Sequence, residues 1–343
     1  MREIVIFIFK VILFPVPRSK FKIIKKILSR VSGIIDIIYC SHSTYANIKI
    51  QDILFKVYIE KNNSQAHNVY KDLFEEKKTY EVQQIICLKN IYEITKKPIF
   101  ADIGSFIGYF AFYASSLDNG RNTIYAIESN KNHCDSIQKG IHKNNFKNIK
   151  ILNKILSNEQ KNILVVDELT IDPKKFDELK SFRSEDPLLD DLKLIDKKKK
   201  YYLENSERLD DVFKNEIPNI LKIDVHGAEG FVLDGAEKLL KEHIDYILLE
   251  LHSESYLKRY STGFNKKKII LNLISKNFSC YFIAANDAIN LKKTNHEETS
   301  SFLKDRGKLN YSSINEKNID NLLFNRDNEE EFILCIKKNI SIQ

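Results

Sequence analysis

The residues with the clearest chemical content sit at the ends of short apolar runs. Ile99-Phe100-Ala101 leads to Asp102, and the turn Ile103-Gly104-Ser105-Phe106-Ile107-Gly108 follows before a helical apolar pattern begins. A buried strand that hands over to a helix in this way aims the helix N-terminus at a ligand, and the two glycines allow a tight turn and a close ligand approach. A dinucleotide fingerprint in this register needs glycine at 104, 106 and 109. Phe106 and Tyr109 stand there instead, so a pyrophosphate has no glycine bed. The Asp-x-Gly-x-x-x-Gly spacing suits a cofactor with no phosphate and a cationic or zwitterionic tail, for which S-adenosylmethionine is the obvious identity.

Further polar strand ends are Glu128, Ser157, Asp224 and the pair Glu250 and His252. In open α/β sheets, ligands lie at the carboxyl ends of the strands. Glu128, 24 residues after Gly104, is placed to accept hydrogen bonds from both hydroxyls of an adenosine ribose. Ser129 and Asn130 follow it, with Asn130 also a helix cap. Methyl transfer from a sulfonium asks for alignment of an acceptor atom, and a hydroxyl acceptor also needs its proton removed. Asp224, His226, Glu229 and His252 are the candidates, with His252 as base and Asp224 as orienting carboxylate. Asp224, Glu229 and Glu250 are the set that magnesium would use, but no close-spaced ligand signature supports a metal, and none is expected.

The elements that must position these groups alternate. Strand 99–103, helix 107–117, strand 123–128, helix 131–144 and strand 149–153 form a βαβαβ run, which implies a parallel sheet with right-handed crossovers. Strand 220–225, helix 229–241, strand 245–251, helix 264–276 and strand 278–283 resume it. A last strand over 332–336 is expected to be antiparallel. Residues 45–60 read as one or two strands and 66–95 as a helical lead-in. The span 160–217 reads as an insertion acting as a flap near substrate, and 286–330 as a polar, variable loop. The resulting division is an N-terminal extension over 1–75 and a catalytic domain over 76–343.

Composition narrows the class. The net charge is +7 over 343 residues, and residues 1–40 hold eight basic side chains against Glu3 and Asp36. The rest is near neutral, which argues against a nucleic-acid footprint on the catalytic domain. Five scattered cysteines with no Cys-x-x-Cys pair argue against zinc and a disulfide framework and fit a reducing, cytoplasmic setting. The apolar run 4–14 is too short to span a bilayer. Ile24, Ile27, Leu28, Val31, Ile34, Ile35 and Ile38, interleaved with Lys22, Lys25, Lys26 and Arg30, form a basic amphipathic helix. It either packs on the domain or lies on an anionic membrane surface.

Phe100–Phe110, Ala126–Asn130, Asn153–Ser157, Leu221–Ala236 and Ile247–His252 together resemble the FkbM-type methyltransferase family, over roughly residues 80–285. The Asp-Val-x-Gly-Ala-Glu signature at 224–229 is the most specific part. The resemblance implies a class I, Rossmann-like fold with a mostly parallel seven-stranded sheet and helices on both faces. It implies S-adenosylmethionine as cofactor, bound around Asp102, Gly104, Ser105, Gly108, Glu128, Ser129, Asn130 and Ser157. It also implies O-methylation of a sugar, glycan or natural-product hydroxyl. His226 stands where the family commonly has Glu, and Ser129 where it has Pro. Two alternatives stay open. A ribose 2′-hydroxyl methyltransferase would use Lys222, Asp224 and Glu250, but its second lysine is not placed. The other is a non-catalytic cofactor-fold module tethered at a membrane. The oligomeric state and the acceptor are not written in the sequence.

Overall fold

A computed structural model of the chain describes residues 43–61, 66, 81–166, 169–171, 201–213, 215–283, 311–323 and 330–338. The basic amphipathic stretch, residues 67–80 of the 66–95 lead-in, the Lys197–Lys200 run and residues 284–310 lie outside them.

The centre is a parallel sheet. Strands β3 (Phe100–Ile103), β4 (Ile124–Glu128), β5 (Ile149–Asn153), β10 (Ile220–Ile223) and β11 (Tyr246–Leu251) run the same way. All residues of β3, β4 and β10 are buried, as strands covered on both faces must be. Strand β14 (Glu331–Lys337) pairs antiparallel with β11, and β12 (Phe278–Ile283) pairs antiparallel with β14. Among the described residues the sheet has eight strands rather than seven. The extra one, β13 (Tyr311–Ile314), pairs with the edge of β12. With the short helix Ile319–Leu323, it falls inside the stretch expected to be loop. Its four residues, Tyr-Ser-Ser-Ile, are too polar and too few for alternation to reveal a strand.

The strand order is β13-β12-β14-β11-β10-β3-β4-β5. The chain leaves β3 toward β4 and β5, and later returns on its other side through β10 and β11. The order therefore reverses between β3 and β10, which opens a crevice above their carboxyl ends.

Helices α1 (Val82–Ile94), α2 (Tyr109–Leu117) and α3 (Lys131–Asn144) follow the expected pattern. Helix α3 shows why. Cys134, Ile137 and Ile141 recur at helical spacing and are buried, Asn130 caps its start by accepting from Asn132 N, and Asn145 ends it at φ 57°. The hairpin of β1 (Thr44–Ile50) and β2 (Ile53–Ile59) shares its core with α2 and α3. Phe55 packs against Tyr109 and Phe112, and Asn144 clamps Lys56 by exchanging hydrogen bonds of 2.8 and 2.7 Å with its backbone.

Two local expectations change. After the short helix α4 (Leu209–Val212), the helix expected over 229–241 is two helices, α5 (Glu229–Asp234) and α6 (Glu237–Glu242). A Cβ on Gly235 would come within 2.1 Å of the Ser157 carbonyl, and Asp210 caps the second helix from outside by accepting from Leu239 N and Lys238 N. A third helix, α7 (Glu254–Tyr260), follows His252 directly. The insertion is also more regular than expected. Strands β6 (Ile155–Leu156), β7 (Asn162–Val166), β8 (Leu169–Ile171) and β9 (Tyr201–Glu207) form a second sheet in the order β6-β9-β7-β8. Among the described residues no helix is long and apolar enough to cross a membrane.

Candidate active site

The crevice at the β3/β10 reversal is lined by the Asp102–Ile107 turn, the Glu128–Ser129 tip of β4, Lys154–Leu156 leading into β6, and Lys222, Asp224, Val225 and His226 at the end of β10. Glu81, Tyr109, Phe110, His133 and Tyr260 complete the wall.

The glycines act through the fold as much as through the ligand. Gly104 has φ +81°, and a Cβ there would lie 1.8 Å from the Asp224 carbonyl oxygen. It is glycine because β3 and β10 must end against each other. Gly108, also at φ +81°, faces Phe112 and Ile137 at 2.9 and 3.3 Å. Gly104→Ala combines left-handed strain with a backbone clash, so a loss of stability of about 3 kcal/mol or more is expected. Thermal unfolding of the variant checks this.

The turn is laced to the neighbouring strand. Gly104 N and Ser105 N both donate to Ile127 O, and Ser105 Oγ donates to the Asp102 carbonyl at 2.7 Å. Glu128 Oε2 accepts from Phe106 N and Oε1 from Asn130 N, each at 2.8 Å. Phe106 is held at φ +50°, and His133 packs edge-on against its ring at 4.8 Å. Glu128 thus braces the turn while its carboxylate lines the crevice.

Asp102 is 1 % exposed. Its Oδ2 accepts from Ala111 N at 3.2 Å, and its Oδ1 has no partner. Burial pushes its carboxyl up to about 6, against the pull of Lys222. Asp102 lines the crevice, and an orphaned buried oxygen on such a residue calls for a cationic or hydrogen-bonding partner.

At the other end, Lys222 is buried, with Nζ 3.1 Å from Asp224 Oδ2 and 4.6 Å from the centre of the Phe110 ring. Burial alone would lower its ammonium, but the carboxylates of Asp224, Glu81, Asp102 and Glu250 hold it well above its ordinary value. Burial likewise opposes the Asp224 carboxylate, and Lys222, His226 and His252 outweigh it and hold the carboxyl low. Glu250 goes the other way. Burial and the neighbouring Asp224 and Glu81 raise it, while its Oε2 accepts from Gln84 Nε2.

His252 is 2 % exposed, and its Nδ1 lies 2.8 Å from Glu229 Oε1. The same oxygen accepts from Gly227 N at 2.9 Å, so Nδ1 carries the hydrogen. Burial disfavours the imidazolium, yet Glu229, Asp224 and Glu250 push it up to about 9. The imidazole therefore holds a proton at neutral pH, and a neutral Nε2 becomes available only when that proton is displaced.

The structure brings Asp102, Gly104, Ser105, Glu128, Ser129, Asp224 and His226 to one crevice, with His252 and Glu229 directly behind Asp224 and His226. It does not bring Ser157, Asn130 or Gly108 onto the wall. Ser157 is buried with its N bonded to Glu207 O, and Ile155 and Leu156 line the crevice in its place. Asn130 is a helix cap and Gly108 a helix start. Glu81, His133, Lys154 and Tyr260 were not legible as site residues. Glu81, His133 and Tyr260 come from helices and connections that carry no motif, and Lys154, within the Asn153–Ser157 segment, has no chemical pattern of its own around it.

A family model described as the methyltransferase FkbM domain matches residues 99–309. No curated protein matches the chain. Among solved structures, a methyltransferase FkbM from Methylobacillus flagellatus KT aligns at 11 % identity over 63 % of this chain and 55 % of that one, TM-score 0.37. This chain therefore spans little more than half of that relative. An O-methyltransferase from Bacillus cereus, solved in complex with SAH, aligns at 12 % identity over 79 % of this chain and 91 % of that one, TM-score 0.36. The plantazolicin methyltransferase BpumL, also with SAH, aligns at 11 % identity over 80 % and 91 %, TM-score 0.35. With the family model spanning the β3-to-β12 core and its crevice, the chain belongs to the FkbM methyltransferase family.

Proposed function

We propose that the protein transfers a methyl group from S-adenosylmethionine to a hydroxyl of a sugar, glycan or related metabolite. The observation that carries this is the single crevice that joins two unlike ends. The Asp102–Ile107 turn and the Glu128 carboxylate form one end, and Asp224, His226, Glu229 and His252 gather at the other. The first suits the nucleoside and its zwitterionic tail, with Glu128 on the ribose hydroxyls and the orphaned Asp102 Oδ1 toward the amino group. The second suits an acceptor that must lose a proton. When bound, the cofactor supplies an activated methyl group. The residues of this chain bind it, align the acceptor oxygen in line with it, and keep water away.

Asp224 orients the hydroxyl. Nε2 of His252 has two ways to serve the proton step: as a base, or as ligand to an ion that acidifies the hydroxyl. Isothermal titration with S-adenosylmethionine tests the cofactor half of the proposal. A screen of labelled methyl transfer against glycan, lipid and RNA extracts tests the acceptor half, and label in the RNA fraction alone would favour the ribose reading.

The basic amphipathic pattern of residues 22–38 supports placing this activity at an anionic membrane surface. The full chain is expected to float with anionic vesicles at low salt, and a variant lacking residues 1–40 to stay behind. Equal flotation of both would refute the placement.

A further inference from the structure

We propose that Asp224, His226 and His252 bind one divalent cation of the first transition row at the acceptor end of the crevice. One ligand atom from each lies within 4.8 Å of the other two. His252 Nε2 is 4.0 Å from Asp224 Oδ1. That gap is too wide for a direct hydrogen bond, and the same Nε2 lies 3.8 Å from Glu330 Oε1. The 4.0 Å separation falls within the range that two donors on one ion can span. Donors about 2.1 Å from a metal are roughly 3 Å apart at right angles and roughly 4.2 Å apart when opposed.

The unpartnered oxygen and the setting of the histidine point the same way. Asp224 Oδ1 is buried with no hydrogen-bond partner, because Lys222 takes the other oxygen. The Nδ1 hydrogen of His252 goes to Glu229, and Nε2, between Asp224 Oδ1 and Glu330 Oε1, is the atom an ion would take by displacing its proton. A carboxylate behind the distal nitrogen is how proteins orient a metal-bound histidine and strengthen it as a donor. His226 is exposed and held at φ +49°, its ring edge-on to His252 with centroids 5.1 Å apart. The turn cannot easily relax. A Cβ on Gly227 would lie 2.7 Å from the Tyr256 carbonyl, and Ser261 Oγ donates to Gly227 O at 2.7 Å. Two imidazoles with one carboxylate suit ions between manganese and zinc, whereas magnesium and calcium prefer oxygen alone.

This inference rests on the methyl-transfer reading and specifies its acceptor as a vicinal diol, which chelates an ion through two oxygens. Coordination lowers the pKa of one hydroxyl, whose proton passes to solvent. The alkoxide oxygen then forms a bond to the methyl carbon, the carbon–sulfur bond breaks, and its electron pair leaves with the thioether of S-adenosylhomocysteine. With the ion bound, Nε2 is a ligand and not the base.

The full chain, stripped with a chelator and dialysed, is titrated with Co²⁺ while its visible spectrum is recorded, and with Mn²⁺ and Zn²⁺ by calorimetry. One ion per chain is expected, with cobalt ligand-field bands. His226→Asn, chosen because Asn tolerates the left-handed backbone, is expected to weaken binding at least roughly tenfold, and Glu229→Gln by roughly 10–100-fold. Absence of both cobalt bands and binding heat, or unweakened binding by His226→Asn, overturns the proposal. S-adenosylmethionine titrated into the same samples scores the methyltransferase reading separately. Cofactor binding without any ion would keep that reading and return the proton to Nε2.

Discussion

Glu128→Ala is expected to lose S-adenosylmethionine affinity by roughly 100-fold or more. Hydrogen bonds to a charged group contribute about 1.5–3 kcal/mol each, and a carboxylate that accepts from both ribose hydroxyls makes two of them. Tenfold in affinity corresponds to about 1.4 kcal/mol. The side chain also accepts from Phe106 N and Asn130 N, so its removal loosens the turn that faces the cofactor. Glu128→Gln keeps one acceptor oxygen and is expected to fall between the parent and Ala. Calorimetry on folded protein, checked by circular dichroism, decides. An unchanged dissociation constant for Glu128→Ala would remove the nucleoside from this end of the crevice.

The position of Glu128 was readable because a strand, an acidic tip and a glycine turn at fixed spacing constrain one another. The same holds for α3, where apolar period, Asn130 cap and Asn145 stop agree. Gly104 was legible as a turn, but the reason for the glycine was not, since the Asp224 carbonyl it avoids is 120 residues away in sequence. The split between α5 and α6 and the buried position of Ser157 share one cause, a close approach of Gly235 to the Ser157 carbonyl that no local pattern encodes. Lys222 reads as a strand residue. Only the converging carboxylates show it as a buried cation. The Asp224–His226–His252 cluster needed the β10 and β11 ends side by side before its ligand atoms came together.

His252→Asn is expected to reduce methyl transfer by roughly 10²–10⁴-fold, with cofactor affinity within a few-fold of the parent. Asparagine is chosen over alanine on physical grounds. His252→Ala takes from Glu229, fully buried, its imidazole partner and leaves it only backbone N–H groups, and breaking a buried pair costs about 3–5 kcal/mol. Asn offers an amide N–H near the position of Nδ1 and removes only Nε2. Initial rates of labelled methyl incorporation at saturating cofactor, beside calorimetry, separate the two effects. Turnover that survives would show that Nε2, as base or as ligand, has no part in the proton step. Loss of cofactor binding would move His252 from the acceptor end to the cofactor end.

The most direct test of the whole account is a crystal structure of the full chain with S-adenosylhomocysteine. The account predicts the ribose hydroxyls within hydrogen-bond distance of Glu128, the amino group toward Asp102, and the thioether sulfur facing Asp224. A nucleoside bound away from the 102–107 turn, or side chains filling that crevice, would contradict it.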